Sequence, residues 1–264
     1  MRPATGGSTM TPATADPACF SHREPLSAYL ERLDYVSSSV LRRFARTGVA
    51  PATPTSVPPV PKEATLGDAL HALLLEPERM EQEFIGADTG VPTPTGLSEQ
   101  DAMARTWLSA RECNALRTMR DAVLRYPRAP LAQWLEAGEK ELSIYWTDGG
   151  QGRWKARPDC FAGDVIVELK TASDPRASRF GKSRRHFGYD LQAAHYVEAV
   201  SRLTGVTPRF VYVAVESVHP HTVWVYEMSA DELRQSRDAL ETLKTRFHEA
   251  RATAVRETAA PPGT

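Results

Sequence analysis

The chain has 264 residues, 41% of them hydrophobic, with 32 basic side chains against 33 acidic ones and a formal net charge of −1. That composition suits one sizeable core, and the lack of any apolar run near the ~20 residues of a membrane span, or of a basic-then-apolar leader, predicts a cytoplasmic protein with no membrane contact. Near-neutral charge gives no global support for a polyanionic partner, and the scattered Cys19, Cys113 and Cys160, with no C-x-x-C pair, argue against a disulfide framework or zinc cage and fall short of an iron–sulfur ligand set.

Residues 1–25 are rich in Thr, Ala, Pro and Gly without periodicity and predict a disordered tail. Residues 26–62 predict a helical segment, with Ser37 to Ser39 able to cap it, followed by a proline-rich linker. A single domain over residues 63–252 follows. It starts with Leu66, Leu70, Leu73 and Leu74 on one helix face, a pattern that ends or kinks at Pro77. Ser98-Glu99-Gln100-Asp101 reads as a capping box opening a long helix to about Tyr126, and a short helix from Leu131 to Ala137 ends at Gly138.

The period then changes. Residues 141–146, 153–161 and 165–171 predict successive strands joined by glycine-containing turns. A basic run, Arg176, Arg179, Lys182, Arg184 and Arg185, precedes a helix over 188–205. Strands over 209–215 and 222–226 and a final helix capped at Ser229 and reaching about Arg251 complete the domain, with a frayed tail over 253–264. The fold class is α/β, a mixed central sheet flanked by helices.

The strand over 165–171 carries the chemistry. It is Val, Ile and Leu on both faces, yet Glu168 and Lys170 share one of them. Buried charges need partners, and Asp159, presented just upstream after Arg157 and Pro158, supplies a second carboxylate. Two acids can hold a divalent ion and an adjacent Lys can orient a water, which is equipment for phosphodiester hydrolysis. Taken alone, an ordinary charged hairpin is the bland alternative, as is a core position for His71, a packed boundary for Gln192 and Tyr196, and a solvated loop for the basic run.

In order along the chain, Gly67-Asp68-Ala69-Leu70-His71, Glu141 to Trp146, Lys155 to Asp159, Glu168 to Thr171, and Gly188 to Tyr196 together resemble the RecE-type (exonuclease VIII) nuclease domain of the RecB-like PD-(D/E)xK nucleases. The resemblance spans roughly residues 35–228 and implies a restriction-endonuclease-like fold. It further implies Asp159 and Glu168 as metal-binding acids, Lys170 as the active-site lysine, and His71 as a further ligand, with Glu141 a candidate for the metal shell. Gln192 and Tyr196 match the Q-x-x-x-Y element facing the site, and Arg179, Lys182, Arg184 and Arg185 become candidate phosphate contacts.

The implied activity is a Mg²⁺-dependent exodeoxyribonuclease, with Mn²⁺ able to substitute because of the imidazole. It would degrade linear double-stranded DNA from 5′ to 3′, exposing a 3′ strand for a recombinase or single-strand annealing protein, and act as a homo-oligomeric ring. A structure- or sequence-specific endonuclease with the same centre, or a non-catalytic DNA-binding relative, are the alternatives.

Overall fold

The computed structural model describes residues 19–51, 65–86, 105–149 and 152–259. Most of the proposed N-terminal tail, the proline-rich linker and the capping box at Ser98 lie outside them. Chain order is β1 (Phe20–His22), α1 (Leu26–Glu31), α2 (Ser38–Thr47), α3 (Thr65–Leu75), α4 (Pro77–Glu83), β2 (Phe84–Gly86), β3 (Thr106–Leu108), α5 (Ala110–Leu124), α6 (Leu131–Ala137), β4 (Glu139–Lys140), β5 (Ser143–Thr147), β6 (Arg153–Ala156), β7 (Cys160–Ala162), β8 (Val165–Ala172), α7 (Ala177–Phe187), α8 (Tyr189–Thr204), β9 (Arg209–Glu216), β10 (Val223–Glu227) and α9 (Ala230–Ala259).

The central sheet has the order β10-β9-β8-β7-β4, with β8 and β9 parallel and the other pairs antiparallel. Alternation on β8 and β9 divides the core in two. Ile166, Phe210, Tyr212 and Ala214 face residues of α2, α8 and α9. Val165, Val167, Leu169, Val211, Val213 and Val215 face α3, α5 and α6. The two middle strands are therefore buried on both faces, as their near-continuous Val/Ile/Leu runs require. A second sheet, β1-β5-β6, packs beside α8.

Several expectations need correction. The helix expected to reach Tyr126 begins only at Ala110, after strand β3, and its capping box is Ser109 with Glu112: the Glu112 amide donates to the Ser109 hydroxyl at 3.3 Å and the Ser109 amide to the Glu112 carboxylate at 2.8 Å. The single strand expected over 153–161 is two strands in different sheets. Pro158 stands between them, and having no N–H it cannot extend a ladder. Gly138 is extended rather than left-handed. The basic run is helical, α7. Residues Phe20–His22, expected within the tail, form β1 against β5, and α9 continues past Arg251 to Ala259. The Ser229 cap is present, with the Ser229 amide donating to Glu232 at 2.8 Å.

Candidate metal and catalytic site

Asp159 reaches the site because β7 stops. In the antiparallel register Cys160 lies opposite Val167, which places Pro158 opposite Leu169. With no ladder partner there, the Leu169 amide donates instead to Asp159 Oδ2 at 2.7 Å. The carboxylate is thus fixed at the end of the strand pair, facing the β8 residues that follow.

On β8, Glu168 is 1% exposed and shares its face with Lys170, whose ammonium donates to Glu168 Oε1 at 2.6 Å. Glu168 Oε2 is buried and has no hydrogen-bond partner among the described residues. Leaving a carboxylate oxygen bare in a core is costly, so the site wants another cation. Burial works to discharge Lys170, but Glu168 and Asp159 outweigh it and hold the ammonium above its usual pKa. The Tyr189 ring, with its centroid 5.1 Å from Nζ, supports the same charge.

His71 comes from α3. A Cβ on Gly67, one turn earlier, would sit 2.6 Å from Thr171 Oγ1, so glycine lets α3 lie close against β8 there. His71 Nε2 then meets the Leu169 carbonyl at 3.2 Å. A carbonyl only accepts, so Nε2 carries the proton and Nδ1 keeps its lone pair, 3.6 Å from Asp159 Oδ2. Burial, then the Lys170 charge, depress the imidazole to a pKa of about 4 although 22% of the side chain remains exposed. It is neutral at physiological pH, the form that ligates metals.

Glu141 was expected at the start of a strand. It lies instead between β4 and β5, which belong to different sheets, with φ at 51°, and its amide donates to the Asp159 carbonyl at 3.1 Å. Arg157 engages it from below: Nε donates to Glu141 Oε2 at 2.8 Å, while the same guanidinium reaches Glu76 Oε1 at 3.1 Å, Ser143 Oγ at 3.0 Å and the Glu24 carbonyl at 3.0 Å. His71, Glu141 and Asp159 each place a ligand atom within 4.8 Å of the others. Burial first, then neighbouring acids, push the carboxyls of Asp159 and Glu141 well above their usual range; for Asp159 the neighbour is Glu168, for Glu141 it is Asp159 and Glu76. A crowd of acids with raised pKa values, one bare carboxylate oxygen and one neutral imidazole fit a divalent cation with oxygen-rich coordination.

Gln192 and Tyr196 share a buried face of α8, with Gln192 Nε2 donating to the Tyr196 hydroxyl at 3.0 Å. Burial and then Glu168 and Asp159 raise the Tyr196 pKa, so the pair lies within electrostatic reach of the acids. The basic run divides. On a helix of ~100° per residue, Arg179, Lys182 and Arg185 share the exposed face of α7, while Arg184 turns inward with Phe180. Arg184 pairs with Asp190 at 2.8 Å and Glu232 at 3.3 Å and lies over the Tyr212 ring, so its charge is already neutralised within the fold.

Arg157 and Glu76 join the site without a sequence signal pointing to them. Arg157 directly precedes Pro158-Asp159 in sequence but its four partners are scattered over the chain, and Glu76 is merely an acid between two helices.

A family model described as a PDDEXK-like domain of unknown function (DUF3799) matches residues 45–260. A crystal structure from Eubacterium rectale, described as a "Putative exonuclease", matches over 92% of this chain and 96% of its own, with a TM-score of 0.62 and 14% identity, a likeness of fold. No curated protein matches the sequence. With the family model covering most of its length, and with the Pro158-Asp159 and Glu168-x-Lys170 elements meeting at the end of one sheet, the chain belongs to the PDDEXK-like family DUF3799.

Proposed function

We propose that the chain is a divalent-metal-dependent deoxyribonuclease, an exonuclease that degrades linear double-stranded DNA from its ends. The observation that carries this reading is the cluster of His71, Glu141 and Asp159, whose ligand atoms lie within 4.8 Å of one another, together with Glu168, whose buried Oε2 has no hydrogen-bond partner among the described residues and whose Oε1 accepts from Lys170. The finer assignment, a RecE-type enzyme working 5′ to 3′ and handing a 3′ single strand to a recombinase or annealing protein, rests on the sequence resemblance.

Asp159, Glu168, Glu141 and His71 would hold the ion, Mg²⁺ by its oxygen donors and Mn²⁺ by the added imidazole. Bound there, a divalent ion supplies polarisation of the phosphoryl oxygen and a lowered pKa for water. Lys170 stays protonated, so it orients the attacking water and offsets the charge that develops on the phosphorane. Arg157 keeps Glu141 turned toward Asp159, and the hydrogen-bonded Gln192–Tyr196 pair lies within electrostatic reach of Glu168 and Asp159.

Incubation with linear and closed circular duplex, in Mg²⁺ or Mn²⁺ and in EDTA, tests the reading. Release of nucleotides from the linear form only, abolished by EDTA, is expected. Cleavage of the closed circle at a similar rate would make the protein an endonuclease, and no cleavage of either would leave a binding protein.

A further inference from the structure

We propose that Phe187 is a stacking platform for an unpaired nucleobase next to the scissile phosphate, so that the site engages a frayed or single-stranded DNA end rather than a closed base pair. The inference rests on the nuclease reading. Phe187 ends α7, and 47% of it is exposed. A single exposed apolar side chain is ordinary on a protein surface. This one is placed and held. Its ring stacks on Tyr189, with centroids 5.5 Å apart and planes 28° apart, and the Tyr189 centroid is in turn 5.1 Å from the Lys170 ammonium. Two contacts therefore separate the exposed ring from the lysine of the site.

The backbone beneath the ring is fixed as well. Gly188 adopts φ 65°, closing α7 and opening α8, and a Cβ there would come within 3.2 Å of the Arg42 side chain. Arg42 passes under this turn, donates Nη1 to the Phe187 carbonyl at 3.2 Å, and lies 5.8 Å from the Tyr189 ring centroid. His186 meets Phe187 edge-on at 4.8 Å. The same helix presents Arg179, Lys182 and Arg185 to solvent on a different face from the Phe180 and Phe187 stripe, so Phe187 is exposed because it ends the helix. An anchored aromatic ring near a cation is one element of single-stranded nucleic-acid binding: here Lys170 lies two contacts away, and the ring accepts a base of any sequence, since every base has a π-face. A base inside a duplex already has both faces covered by its neighbours and a terminal pair offers only its outer face, so the base placed on Phe187 is one that has left its pair.

The test uses the full chain with Ca²⁺ in place of Mg²⁺, because its looser coordination disfavours hydrolysis while keeping the site charged. Binding is measured for a blunt duplex and for the same duplex with a short unpaired end carrying 2-aminopurine, with the parent and with Phe187→Ala, Phe187→Leu and Phe187→Trp. The parent should quench the 2-aminopurine. Phe187→Ala and Phe187→Leu should bind the unpaired end at least about fivefold more weakly, without quenching, and leave the blunt duplex within about twofold, while Phe187→Trp restores both readouts. Parent-like binding and quenching by Phe187→Leu would overturn the proposal, as would equal weakening on both substrates, which would mark a structural role for the turn. If the parent hydrolyses DNA with Mn²⁺ and yet these variants behave as parent, the inference alone fails. If the parent neither hydrolyses nor binds DNA, the nuclease reading fails with it.

Discussion

At Glu141 the chain accepts a left-handed backbone that costs an L-residue about 1–2 kcal/mol, and it does so where the carboxylate is turned toward His71 and Asp159. Arg157 is what holds that conformation in place, through one bond to Glu141 and three to other partners. Arg157→Gln should therefore weaken Mn²⁺ binding by roughly 10- to 100-fold, as loss of a group that orients a ligand does. Calorimetric titration with Mn²⁺ measures this, alongside circular dichroism to confirm that the variant folds; an unchanged affinity would mean that Glu141 needs no such support. The three residues of the PD-(D/E)xK pattern were legible because two charges on one face of an apolar strand demand a partner. Arg157 and Glu76 were not, since a buried cation declares itself only through neighbours that are distant in sequence. Glu141 could be named but not placed, because alternation breaks at a kink between sheets.

Two helices show what periodicity can and cannot carry. Helix α7 reads as a solvated basic run because Phe180 is the fully buried apolar residue among its described side chains, too little apolar content for a helical signal. Its exposed face defines the expected phosphate contacts: Arg179, Lys182 and Arg185 replaced together by Ala should reduce the slope of log affinity for DNA against log salt by about 2 to 3, close to one counterion per contact. Arg184→Ala should instead lower thermal stability, through its lost pairs with Asp190 and Glu232, and leave that slope nearly unchanged.

On α8, His195 is enclosed by Trp146 and Trp154, donates Nε2–H to the Lys155 carbonyl at 3.0 Å, and has a buried Nδ1 without a partner among the described residues. Burial, then the Lys244 charge, lower its pKa to about 4, against the weaker opposing pull of Glu198 and the carbonyl. The unfolded chain takes up this proton near pH 6.5 and the folded chain only near 4, so stability falls as pH falls through that window, by roughly 3 kcal/mol at most. Denaturant titrations at pH 7 and pH 4.5 should show a smaller difference for His195→Gln than for the parent. An identical difference would place the acid sensitivity elsewhere.

At the scale of the whole molecule, the mixed sheet with helices on both faces follows from strands that are apolar on both sides, and the sequence carries that signal strongly. Pro158 marks the strand break locally, but the partition into two sheets depends on pairings between distant segments, which no local pattern records. With a net charge of −1, and the exposed basic face of α7 among the described residues, the proposed nuclease would have little electrostatic means of retaining DNA between cuts. We expect a closed homo-oligomer, three or four subunits by family analogy, that pools several α7 faces around one channel. Light scattering should give a multiple of the 29.1 kDa chain mass; a monomer that degrades long duplexes without dissociating would refute the ring.

The measurement that bears most directly on the centre is hydrolysis of end-labelled linear duplex in Mn²⁺ by the parent, Asp159→Ala and Lys170→Ala, each shown to be folded. The parent should release nucleotides and stop in EDTA, and each variant should be slower by at least ~100-fold, the equivalent of about 3 kcal/mol of lost transition-state stabilisation. Cleavage by either variant at a rate near the parent's would show that Asp159 and Lys170 are not the hydrolytic centre.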